Sequence, residues 1–217
     1  TDETDPRLRG PQGWTGKLYK LLNPLRFKRK ELRLSNDLYM THTEFLEGHI
    51  RVGGVIEPGN LTIGFYGSAD GNRLAGAHRV NDGMAVSYNG CKWDAVSKAP
   101  AYGAVIHFSH QLTESIVSPS AHAFLMNASV VAGERLSLVS PVTPMGESLR
   151  KAIRSSITLA EEAERPPEYA SIFDWMANDL VSMAACLIDE VTEDAQAPLT
   201  QSQEKRFEMA RQIERFL

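Results

Sequence analysis

Residues 84–108 read MAVSYNGCKWDAVSKAPAYGAVIHF, and this stretch decides the fold. Three short β-prone runs, 84–88, 92–97 and 102–108, are separated by Asn89-Gly90 and by Ala99-Pro100. Asn-Gly supplies the two positive-φ positions of a type I′ turn, so it predicts a hairpin. The same grammar extends toward the N-terminus. The run 61–67 is β-rich, and turns at Ile56-Glu57-Pro58-Gly59-Asn60 and Asp70-Gly71-Asn72 bound it. Residues 37–47 form another extended run. In 27–35, Lys28, Lys30, Leu32 and Leu34 alternate with Arg29, Glu31, Arg33 and Ser35, which puts the two sets on opposite faces of a strand. Residues 26–110 therefore read as all β, and many short strands with regular turns predict a sandwich or barrel.

Beyond residue 110 the period changes. One helix or two short ones fit 112–125, interrupted near Pro119, and residues 130–144 are mixed. Leu149, Ile153, Ile157 and Ala160 then repeat at helical spacing, and Pro166-Pro167 ends that helix. A second stripe runs through Ile172, Met176, Leu180, Met183, Leu187 and Val191, so the pair reads as a helical hairpin. Thr200 and Gln203 resemble a capping box opening a last helix with Phe207, Ala210, Ile213 and Leu217 on one face. The expected organisation is a flexible lead-in over 1–25, with a short helix or packed segment at 17–25, a β-domain over 26–144, a helical hairpin over 145–195, and a connector with the start of a helix over 196–217. A first residue other than Met, and an end inside a helix, fit a piece of a longer chain.

The 217 residues carry a net charge of −4, with 42% hydrophobic and 23% charged residues. That length buries a core without metal or disulfide staples. No signal-peptide pattern or run of membrane-spanning length is expected, and two distant cysteines, Cys91 and Cys186, point to a reducing, cytoplasmic setting. The charge is uneven. Residues 1–33 hold nine Lys or Arg against four acids, and within 17–33 Glu31 is the one acid among seven basic residues. A nucleic-acid footprint would be broader, so a local anionic ligand fits better, with a solvated basic strand as the alternative.

Catalytic signatures are sparse. The six histidines, His42, His49, His78, His107, His110 and His122, form no HxH pair, so they read as surface or satisfied core residues rather than metal ligands. No GxSxG elbow is present, and the glycines lack the strand–loop–helix setting of a phosphate-binding loop. No enzyme activity, cofactor or metal is expected.

The basic cluster RFKRKELR at 26–33 is the remaining candidate. Arg29 and Arg33, four apart, share a strand face about 13 Å apart. Guanidinium forks hold phosphates, pair with guanine edges and stack on purines. RKELR at 29–33 resembles the RxxxR signature of PilZ-type receptors for cyclic di-GMP. Ser68-Ala69-Asp70-Gly71 supplies the SxxG part of their second motif, with Tyr66 where that motif has Asp or Asn. Ser87-Tyr88-Asn89-Gly90 is a second, weaker SxxG match.

The order of strands, helices, polar connector and helix is also similar to the regulatory half of AraC-type transcription factors, including AraC-like activators that bind cyclic di-GMP in a PilZ-like mode. That resemblance implies an α+β fold, a cupin-like β-barrel followed by a C-terminal α-helical subdomain. It implies cyclic di-GMP as ligand, Arg26, Arg29, Arg33, Tyr66, Ser68 and Gly71 as binding residues, a homodimer promoted by ligand, and DNA contact only through a further helix-turn-helix domain. Three other readings stay open: a sensor holding a small metabolite in the barrel within 61–108, a cupin-like enzyme, and a purely structural dimerisation module.

Overall fold

A computed structural model describes residues 15–74, 78–128, 130–131, 134–135, 137–162 and 170–196. The expected connector helix of 200–217 and the lead-in of 1–14 lie outside the described residues. Six strands precede the helices: β1 (Thr15–Arg33), β2 (Leu38–Val55), β3 (Leu61–Leu74), β4 (His78–Tyr88), β5 (Lys92–Lys98) and β6 (Ala101–Phe108). Then come α1 (His110–Ile116), α2 (Pro119–Ala128), the two-residue strands β7 (Val130–Val131) and β8 (Glu134–Arg135), β9 (Leu138–Pro141), α3 (Pro144–Glu162) and α4 (Ala170–Gln196). Residues 17–25, read as a short helix or packed segment, instead extend β1: their backbone pairs with β2 from Lys17↔Gly53 to Leu22↔His49.

All pairings are antiparallel. The main sheet runs β1, β2, then β5 and β6, then β3, β4 and β9. β5 and β6 act as one interrupted strand. Val55 pairs with Lys92 at one end of it, and Leu61 pairs with Phe108 at the other. Seventeen straight strand residues would hold those ends about 55 Å apart, whereas the six residues from Val55 to Leu61 reach about 20 Å. The sheet must therefore fold back on itself. The fold line crosses β1, β2, the interrupted β5–β6 strand and β3. It passes register shifts between Lys20 and Phe27 in β1, Gly48 at φ 99° in β2, the Ala99-Pro100 break, and the shift between Gly67 and Asn72 in β3. The Ala99 amide donates to the Gly48 carbonyl at 3.0 Å, joining two of these bends.

β1 and β9 are the two free edges and do not pair with each other. The expected closed barrel is thus an open, folded sheet; the α+β class stands. The Asn89-Gly90 turn forms with φ of 46° and 84°, but β4 and β5, which it joins, are not partners. It turns the chain at the folded edge, where the Ile56 amide donates to the Cys91 carbonyl at 3.0 Å.

The helices cover one face. Met40, Ile63, Phe65, Met84, Ile106 and Leu32 point into a core completed by Leu149, Ile153 and Ile157 of α3 and by Leu180, Leu187 and Ile188 of α4. At about 25 cal/mol per Å2 of apolar surface, this core is the main stabilising term. Two helices start on the same device. Ser118 Oγ accepts from the Ala121 amide at 3.2 Å and Thr143 Oγ1 from the Gly146 amide at 3.0 Å, with Pro119 and Pro144 each at the first helical position. Ser171–Glu193 within α4 is long and apolar enough to cross a membrane, contrary to the sequence expectation. Here Met176, Leu180, Leu187 and Val191 of its stripe are buried, while Ile172 and Trp175 are exposed.

Candidate functional site

The face turned away from the helices is polar. Cross-strand pairing puts Arg29, Thr43, Gly103 and Tyr66 in one row, and Arg33, Tyr39, His107 and Thr62 in another. The folded-back half covers part of this face, because Ser87 bonds Ser137, whose hydroxyl donates to the Lys92 carbonyl at 3.1 Å. Thr41, Thr43, Thr62 and Ser87 are buried there.

Arg29 anchors the polar interior. Its side chain is 9% exposed. Nη2 donates to the Tyr39 hydroxyl at 2.9 Å, which donates to Glu31 Oε2 at 2.6 Å, while Glu31 lies 3.7 Å from the guanidinium. Arg29 Nε is buried without a partner. Burial, then the Glu31 hydrogen bond, pushes the Tyr39 hydroxyl up to about 12, so it stays a donor. The Tyr39 ring stacks on His107 at 5.6 Å, and His107 Nδ1 shares a 2.8 Å hydrogen bond with Thr62 Oγ1. Desolvation, then the Arg29 charge, lowers His107 to about 3, leaving a neutral imidazole. Tyr66 lies across Gly64 and Gly103, where a Cβ would strike its ring or come within 3.5 Å of it. Burial raises its hydroxyl above the usual range.

The expected ligand residues are thus distributed as follows. Arg29 and Arg33 share a face of β1, and Arg29 shares a row with Tyr66 about three strand spacings, or 14 Å, away. Arg33 is exposed. Arg26 is also exposed and pairs with Glu47 at 3.1 Å. Ser68 is buried, donates to the Lys98 carbonyl at 2.9 Å, and with Gly71 sits at the fold line, toward the opposite end of the sheet from Arg33. The six do not meet at one point within a single chain.

The sequence reading missed Glu31, Tyr39 and Thr62 as partners of this interior, and His107 as its neutral centre. Alternation would put each on its face, but the register that aligns four strands is not written in any one of them. Among the described residues, no group of three or more His, Cys, Asp or Glu could hold a metal. No family model, curated protein or solved structure matches the chain.

Proposed function

We propose that this chain is the ligand-sensing and dimerisation domain of an AraC-family transcription regulator, and that its ligand is cyclic di-GMP. The observation that carries this reading is the Arg29 guanidinium, facing the same way as Arg33 and holding a buried Nε donor with no acceptor. An anion reaching Arg29 would supply that acceptor. A charge-assisted bond of this kind contributes about 1.5–3 kcal/mol, and stacking of a base on Tyr66 about 1–3.

The wide spacing of Arg33 from Ser68 and Gly71 favours a ligand shared between two copies, with Arg26 as an outer phosphate contact. Binding then promotes the homodimer by mass action. In this reading the folded sheet is an opened form of a cupin-like sensor domain, the protein acts in the cytoplasm without catalysis, and DNA is contacted by a separate helix-turn-helix domain.

The test is calorimetric titration of cyclic di-GMP with light scattering. Arg33→Ala, at an exposed position, serves beside Arg29→Ala. Binding that is lost in both variants and drives monomer to dimer is the expected result; no heat and unchanged mass would overturn it. The polar lining around His107, Thr62 and Tyr66 favours a second reading, a small polar metabolite held between the layers. In that case Thr62→Val would abolish response to the metabolite while Arg33→Ala would not.

A further inference from the structure

A cleft of about 520 Å3 opens where the sheet folds, lined by β2, β3, β6 and α3, with Ser68 and Phe45 among its walls. Its volume lies in the usual range for small-molecule sites, about 300–1,000 Å3. One wall is fixed. Tyr102 donates to Asp82 at 2.9 Å, and Arg150 donates to Asp82 at 2.8 Å while also contacting Glu147 and the Tyr102 hydroxyl. Gly67 permits this arrangement, because a Cβ there would run into the Tyr102 ring. These charges satisfy one another.

Two other charges in the cleft do not. Arg154 of α3 and Glu44 of β2 both line it, both are exposed, and neither forms a hydrogen bond or ion pair among the described residues. His42, 8% exposed, lines the same cleft. Both charges act on its imidazole, Arg154 disfavouring and Glu44 favouring its charged form. Desolvation outweighs them and keeps His42 neutral, able to donate or accept. Phe45, Leu46 and Pro100 add an apolar margin.

We propose that this cleft binds a small zwitterion bearing one carboxylate and one ammonium, the class of free α-amino acids with apolar side chains. The carboxylate pairs with the Arg154 fork, the ammonium with Glu44, and the side chain lies against Phe45 and Leu46. An isolated anion would meet Glu44, and an isolated cation would meet Arg154, so each single charge is disfavoured. Ser68 belongs to this cleft and to the proposed cyclic di-GMP set, whereas Arg154 and Glu44, which carry the present proposal, belong to this cleft alone.

The experiment screens the proteinogenic α-amino acids at millimolar concentration against the protein by thermal shift and saturation-transfer NMR. Each is run beside the amine and the carboxylic acid that lack its second charge. The expected result is a shift with one or more apolar amino acids and none with the single-charge analogues. Arg154→Ala and Glu44→Gln, both at exposed positions, should each weaken binding about tenfold or more, as loss of one charge-assisted contact requires. Arg33→Ala should leave it unchanged. No response to any amino acid, equal binding of the single-charge analogues, or binding that survives both substitutions would overturn the proposal.

Discussion

The Arg29 guanidinium donates to the Tyr39 hydroxyl, and that hydroxyl donates on to Glu31, so three polar side chains from two neighbouring strands form one chain of hydrogen bonds. In the partly dry interior each bond polarises the next. Tyr39→Phe removes the middle member. It leaves a nearly buried guanidinium short of a second acceptor besides the one Nε already lacks. Unfolding in urea should show a loss of about 1–3 kcal/mol, the usual cost of orphaning a buried polar group. An unchanged midpoint would mean that water fully replaces the hydroxyl.

Glu31 competes with any anion for Arg29, and its carboxylate is more than half exposed. Glu31→Gln keeps the shape and removes the charge. On the proposed function, cyclic di-GMP should bind several-fold more tightly to this variant, and calorimetry reads the change directly. Weaker binding would show that Glu31 holds Arg29 in its binding geometry rather than opposing the ligand.

His107 gives the fold a pH dependence whose sign is fixed. Its folded pKa, about 3, lies below the ordinary 6.5, so the unfolded chain takes up the proton first. Its contribution to stability is complete above pH 6.5 and is lost as pH falls from there toward 3, at about 1.4 kcal/mol per pH unit. His42, also lowered, acts in the same direction. Urea midpoints for the native chain should therefore drop between pH 6.5 and 5, and His107→Gln should flatten the profile. A parallel profile in the variant would assign the dependence elsewhere.

The strands were legible because alternation is local. Leu32 falls on the core side of β1 and Arg29 on the other, as the sequence pattern requires. The starts of α2 and α3 were half legible, since Pro119 read as an interruption and residue 144 as the end of a mixed segment, but both prolines serve as first helical residues behind a Ser or Thr cap. The fold line was not legible. Gly48 and Pro100 look like ordinary strand ends, and only pairing between distant segments shows that four strands bend together. For the same reason Asn89-Gly90 announced its turn type but not that its flanking strands have other partners. Leu18, Leu21, Leu22 and Leu25 around Pro24 suggested a helix or packed lead-in, yet pairing with β2 overrides that local preference. The candidate site suffered most, since it depends on which residues of four strands share a row.

Gly64 tests how tightly Tyr66 is seated. A Cβ there would lie 2.7 Å from the Tyr66 ring carbons, inside any ordinary contact. Gly64→Ala must push the ring off Gly103 or bend β3. The expected cost is about 1–3 kcal/mol, as for overpacking generally, with a matching change in tyrosine near-ultraviolet circular dichroism. A stable variant with an unaltered tyrosine signal would show that the ring is loosely held.

Burial outweighs surface charge in holding the helices to the sheet. Lys30 Nζ lies 2.6 Å from Glu161 and ties β1 to the end of α3, but both side chains are nearly half exposed. Water and salt screen such a pair, and ordering two long side chains offsets much of the attraction, so Lys30→Met should cost under about 1 kcal/mol. Ile106, by contrast, is fully buried between the sheet and the helices. Ile106→Ala removes three carbons and leaves a cavity that rigid neighbours refill poorly, at about 2–5 kcal/mol. Both values come from the same urea titrations. If Lys30→Met were the more damaging, the helices would be held to the sheet by the surface ion pair rather than by the apolar core.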